Sequence, residues 1–209
     1  MEKTDLSKKH KSYYSAKPKP ELLEFGPAQY LSLCGKGDPS EKMFAEKVQA
    51  LYTVAYALKF VCKWEGNDFT VAKLEAHWWF DEKKFGGVSM SEAPRQVPRA
   101  EWEYRLLIRL PEFIKPQYIK DAKSDVLEKK ELAFVKEIVR YKSAGGKAAQ
   151  ILHTGSFETE PASLLVLAEF MKANRLQKGG PHHEVYLSDF RKTSPEKLKT
   201  ILREPVLVL

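Results

Sequence analysis

The stretch AAQILHTGSFETEPASLLVLAEFMKANRL, residues 148–176, holds a strand and a helix joined by one tight corner. Its opening, from Ala148 to the glycine at 155, is a short apolar run closed by a turn residue, the signature of a strand. Pro161 then falls in the first turn of the segment that follows, where a missing N–H costs a helix nothing. Beyond it, Gly179-Gly180 turns the chain into a strand over 182–188. A short helical turn in SPEKLKT precedes a last strand over 202–209.

The same order stands earlier in the chain. LLEFGPAQYLSLCGKG reads as a strand interrupted by Gly26-Pro27 and resumed from Ala28 to Gly35. A helix follows, with Asp38 or Ser40 as its expected cap. Phe44, Val48, Leu51, Val54, Ala55, Leu58 and Val61 recur at helical spacing until Gly66-Asn67. FTVAKLEAHWWF and EWEYRLLIRL are two further strands around a loop over 81–99, and Pro111 stops the second. A long helix is expected from 115 to about 141–143, with Ile119, Ala122, Val126, Leu132, Val135 and Ile138 or Val139 inward. Gly145-Gly146 breaks it. One βαββ unit used twice results: an α+β tandem βαββ pseudo-dimer, with a ligand cleft at the pseudo-twofold junction. The expected organisation is an extended arm over 1–19, tacked down by Tyr13 and Tyr14, and a domain over 20–209. Its halves, about 20–112 and 146–209, are joined by the 115–143 helix.

Composition narrows the function. The chain has 209 residues, 43% hydrophobic and 30% charged, enough to bury a real core under a well-solvated surface. Its net charge of +7 raises the question of nucleic acid. The lysines, however, are spread out and interleaved with acids, as in DAKSDVLEKKELAFVKE, which argues for solvated faces over a nucleic-acid footprint. Cys34 and Cys62 lie in apolar runs and read as buried free thiols in a reducing cytosol. The first twenty residues lack the apolar core of a signal peptide, and no run is long enough to span a bilayer, so a cytoplasmic protein is expected. Cysteine and histidine spacing gives no metal site, and GKGDPSEK has neither the Walker nor the dinucleotide pattern, so no cofactor is expected.

The candidate chemistry is acidic and aromatic. In HHEVYLSDFR, alternation puts Glu184 and Tyr186 on one strand face and Val185 and Leu187 on the other. That face either meets water or lines a cleft in which the carboxylate has work as a general base or as a partner for a cation. In HWWF, Trp78 and Trp79 take opposite faces, while Trp102 and Tyr104 share one. Such side chains suit a slot for a flat molecule, and equally suit a core. Glu160, at the strand-to-helix corner, is explained by the helix dipole or as a second cleft carboxylate. Glu75 shares its face with His77 and Trp79, and His153 is a lone strand histidine.

KPELLEFGPAQYLSLCGKGDP, KLEAHWWF, VPRAEWEYRLLIRLPEFI, HTGSFETEP and above all HHEVYLSDFRKTSPEKLKTILREPV resemble the standalone GyrI-like small-molecule-binding domains. The resemblance runs from about 19 to 206. It implies a tandem βαββ pseudo-dimer with an aromatic cleft and a strand glutamate, here Glu184. Trp78, Trp79, Trp102, Tyr104, Tyr186, His153 and Phe157 are its expected ligand-binding residues, with Glu160 beside Glu184 as the second catalytic group. The family includes drug sensors fused to helix-turn-helix domains, proteins that protect gyrase, and hydrolases that open the cyclopropane of DNA-alkylating cyclopropanoids. A DNA-reading domain does not fit ahead of residue 19, which favours the standalone roles. The resemblance implies a cyclopropanoid hydrolase with a detoxifying role, or alternatively a protein that sequesters a flat aromatic or cationic molecule. It departs from the usual pattern at GSF, where GPY is commoner, and at DF before Arg191, where DP is usual. The oligomeric state is left open.

Overall fold

The computed structural model describes residues 3–208; the expected end of the last strand at Leu209 lies outside them. The first βαββ unit comprises β2 (Ala28–Lys36), α2 (Lys42–Trp64), β3 (Leu74–Trp79) and β4 (Glu103–Leu110). The second comprises β6 (Gly146–Thr154), α5 (Glu160–Ala173), β8 (His182–Tyr186) and β9 (Lys199–Val208), with a short β7 (Leu176–Lys178) added on β9. Two further strands flank them, β1 (Glu21–Phe25) and β5 (Val139–Ser143). All pairings between named strands are antiparallel, in the order β1-β6-β9-β8-β3-β4-β2-β5. The units therefore meet as mirrored strand orders across β8 and β3, where His77 pairs with His183. The tandem βαββ architecture read from the sequence is the architecture present.

Helical periodicity does what the sequence asks of it. Phe44, Val48, Leu51, Val54, Ala55, Leu58 and Cys62 are buried along one stripe of α2, which packs on β2 and β4. The stripe in α5 is shorter, with Leu164 and Leu167 against Ala149, Ile151, Leu202 and Val206. Each fully buried Leu or Val of this kind contributes roughly 1.5–3 kcal/mol. Because the helices lie over the outer strands, the central β3–β8 pair is left between them as the floor of a cleft.

Several expectations are corrected. The helix expected over 115–143 is α4 (Pro116–Lys129) only. Phe134 then takes a left-handed conformation, φ 67°, and the chain enters β5 on the free edge of β2. Val135 and Ile138 are buried as their spacing demanded, but in a 3-10 turn over Val135–Glu137 and just after it, and the β-branched and aromatic residues that follow gain a ladder of hydrogen bonds instead. Gly26-Pro27 does more than interrupt one strand: it sends β1 to β6, at the other end of the strand order from β2. The β1–β2 and β5–β6 connections meet at Gly145, φ 79°, where a Cβ would stand 2.2 Å from the carbonyl oxygen of Phe25. Neither Asp38 nor Ser40 caps α2; Asp38 accepts from Ser40, and Glu41 is the cap residue. Cys34 is exposed and Cys62 buried.

The arm is not merely extended. Leu6–Lys9 form a helical turn (α1), and Leu6, Tyr13 and Tyr14 pack on Val185 and Ile201. The arm thereby covers a polar patch on the sheet face opposite α2 and α5. There Tyr13 donates to Glu75 and its ring lies under the guanidinium groups of Arg109 and Arg203.

Candidate functional site

Between α2 and α5, above β3 and β8, lies a cavity of about 330 Å³. That is the scale of a small-ligand pocket. Its walls are aromatic. On one side Phe44 stacks on Trp78 with ring centroids 5.8 Å apart, and Trp102 meets Trp78 edge-on at 5.9 Å. On the other, Phe157, Tyr186 and Phe190 meet pairwise, with centroids 5.9–6.1 Å apart. Met90, Pro94 and Arg99 come from the 80–102 connection between β3 and β4, which includes the short helix α3 (Ala93–Gln96) and carries its own small core of Phe80, Ala93 and Val97.

Apart from Arg99 and Glu158, the charged groups at the cavity floor come from β8, β9 and the start of α5. Period-two alternation on β8 aims His182, Glu184 and Tyr186 into the cleft and His183 and Val185 away from it. Tyr186 donates its hydroxyl proton to Oε2 of Glu184 at 2.5 Å and accepts from Nε1 of Trp78 at 3.2 Å. Nε2 of His182 stands 3.4 Å from the other Glu184 oxygen, an ion-pair distance without hydrogen-bond alignment. Its Nδ1 lies 2.7 Å from Oε1 of Glu204 on β9. Burial pushes the His182 pKa down, but the Glu204 charge, the Glu204 hydrogen bond and the nearby Glu184 carboxylate outweigh it and hold it at about 10. Glu160, the first residue of α5, is buried, and its Oε1 has no hydrogen-bond partner. Burial, and then the nearby charge of Glu184, raise its pKa well above the ordinary carboxyl range. Burial likewise raises the Tyr186 hydroxyl, with Glu184 adding to it.

The strand register relates the halves. Across β3 and β8, Glu184 pairs with Ala76 and His182 with Trp78. The first unit thus offers a methyl and an indole where the second offers a carboxylate and an imidazole, giving a cavity apolar on one side and charged on the other.

Of the residues singled out from sequence, Glu184, Glu160, Trp78, Trp102, Tyr186 and Phe157 line this cavity. The other three do not. Tyr104 is buried behind Trp78 and Phe44, with centroids at 5.4 and 5.0 Å. Trp79 faces a hollow on the opposite side of the sheet with His77, Arg105 and Tyr141. His153 contacts Ser163 at 2.9 Å, the Ser156 carbonyl at 3.1 Å and Thr159 at 3.2 Å, and so braces the corner that aims Glu160 inward. Gly155 makes that corner, with φ 141° and no room for a Cβ beside Thr159. His182 and Glu204 were not singled out. His182 shares the Glu184 face by simple alternation, but its pairing with Glu204, 22 positions away, has no local signal.

Among the described residues, no group of three or more His, Cys, Asp or Glu side chains is placed to hold a metal ion. Nor is any helix among them long and apolar enough to cross a membrane.

Comparison with known proteins bears on the family and the fold. The GyrI-like small molecule binding domain matches residues 119–206. A conserved protein from Listeria innocua is 32% identical, with TM-score 0.87, 98% of this chain and 100% of that one being covered. A hydrolase from Listeria innocua is 31% identical with TM-score 0.83, again over 98% and 100% of the two chains. Another structure of a Listeria innocua hydrolase, 31% identical, has TM-score 0.85 over 99% and 100%. A search of curated proteins gives no match. With the aromatic cleft, the duplicated βαββ unit and relatives this similar over their whole length, the chain belongs to the GyrI-like family, whose domain binds small molecules.

Proposed function

We propose that the protein is a hydrolase that adds water across the strained cyclopropane of DNA-alkylating cyclopropanoid molecules, in a detoxifying role within the cytoplasm. The observation that carries this reading is the pair of buried carboxylates, Glu184 and Glu160, in contrasting surroundings at the base of an aromatic-walled cavity. The similarity to two structures named as hydrolases supports it.

The flat body of the substrate lies between the Trp78–Trp102 and Tyr186–Phe190 walls. Glu184, already an acceptor from Tyr186, takes a proton from a water molecule as its oxygen attacks the ring methylene. The methylene–ring bond breaks, and its electron pair passes into the conjugated carbonyl, which becomes a phenolate. Glu160, held protonated, gives its proton to that oxygen. The product is the substrate plus one water, and transfer of the proton from Glu184 back to Glu160 restores the enzyme. General-base catalysis supplies roughly 10²- to 10⁴-fold.

Glu184→Gln is therefore expected to lower turnover by about 10²- to 10⁴-fold while retaining the ligand. The assay follows the water adduct by mass spectrometry and binding by tryptophan fluorescence. Unchanged turnover in that variant would remove Glu184 from the mechanism.

A second reading has an observation of its own. The aromatic faces of Trp78, Trp102 and Tyr186 stand beside the Glu184 carboxylate in one cavity, so it also suits a flat cation that is bound and not transformed. The same mass measurement separates the two: catalytic product supports the hydrolase, and stoichiometric recovery of unchanged ligand supports sequestration.

A further inference from the structure

His182 is fully buried, and both of its ring nitrogens face carboxylate oxygens, Nδ1 at 2.7 Å from Glu204 and Nε2 at 3.4 Å from Glu184. A neutral imidazole has one N–H and one bare lone pair. In either tautomer that lone pair would lie close to a carboxylate oxygen in a buried site. Only the imidazolium presents a proton to both. Glu160 has no comparable partner: its Oε1 is unpaired, the charge of Glu184 acts against its ionisation, and His182, which also acts on it, makes its ion-pair contacts with Glu184 and Glu204 instead. Two carboxylates close together in a buried site do not both ionise, and the one nearer a cation keeps its charge.

We infer that His182, supported by Glu204, is a fixed imidazolium cation built into the cleft, which favours the ionised carboxylate at Glu184 and thereby assigns the proton to Glu160. Glu204 does not line the cavity and acts through His182, so it is a positioning residue. The kinetic part of this inference rests on the hydrolase reading; the protonation part does not. The raised pKa values of His182 and Glu160 agree with it. The groups around His182 are Glu184 and Tyr186 from its own strand, Glu204 from β9 and Glu160 from α5, with His183, His77 and Arg203 on the far face. The two far-face histidines are pushed low by burial, so they stay neutral and do not compete for the proton.

The test uses the full chain labelled with ¹⁵N-histidine, in wild-type, Glu204→Gln and Glu204→Asp forms. In the wild type, both His182 ring nitrogens are expected to be protonated from pH 6 through about 9. In Glu204→Gln the imidazolium should lose its proton at least about tenfold more readily. Turnover at pH 7 should then fall with the loss of the imidazolium beside Glu184, and Glu204→Asp should restore part of both. A wild-type His182 with one bare ring nitrogen at pH 7 would overturn the inference, whether or not the variants fold. So would a Glu204→Gln protein that keeps the wild-type titration. If the wild type forms no water adduct at all, the hydrolase reading falls, and the ring-nitrogen signals alone decide this one.

Discussion

The polar patch beneath the N-terminal arm should make stability depend on pH through one side chain, Glu75. It is fully buried on β3, facing away from the cleft. Its Oε2 accepts from Tyr13 at 2.5 Å and lies 2.8 Å from Nε2 of His183, while Oε1 has no partner. Burial raises its pKa from 4.5 to about 7, against the pull of the Tyr13 hydrogen bond and of Arg203 and Arg109. The folded state therefore keeps a proton that the unfolded chain has already released between these values. Stability from this group is full below the unfolded value, falls as pH rises through the window, and levels off above the folded value. A difference of about 2.5 pH units corresponds to roughly 3 kcal/mol. Glu75→Gln keeps the shape and cannot titrate. Urea unfolding of both proteins from about pH 4.5 to 8 gives the difference in unfolding free energy, in which groups elsewhere cancel. Wild type minus variant should fall by about 3 kcal/mol across that range. Parallel curves would refute the assignment of this proton to Glu75.

Two further substitutions probe the site and the fold. Tyr186→Phe removes the proton donor to Glu184 and the acceptor for Trp78; the loss of a hydrogen bond to a charged group, roughly 1.5–3 kcal/mol, predicts turnover lower by about 10- to 100-fold, with ligand binding held within a few-fold. Gly145→Ala forces a left-handed backbone onto alanine and its Cβ onto the Phe25 carbonyl, so a loss of at least about 1–3 kcal/mol is expected in thermal or urea unfolding, with the β1 and β5 ends loosened together in hydrogen exchange.

What the sequence made legible followed from short-range geometry. Alternation placed Glu184 with Tyr186 and separated Trp78 from Trp79, because a pleated strand fixes faces whatever lies beyond it. The stripe on α2 was legible for the same reason, and two such units in one chain implied a cleft between them. What escaped was set by partners distant in sequence. Val139 to Ser143 continue a helical spacing, and only the free edge of β2 makes them a strand. Leu6, Tyr13 and Tyr14 are apolar anchors in a polar segment, and their burial depends on Val185 and Ile201 from the far end of the chain. Glu204 is the sharpest case. In REPV it reads as one more charged residue in the last strand, yet its register on β9 sets it against His182. The acid–base assignment of the cleft thus depends on a contact that no window of sequence contains. A sequence comparison that tracks Glu184 alone would group proteins with and without a charged His182, and only the joint presence of Glu204 and His182 should mark those in which Glu184 is held ready as a base.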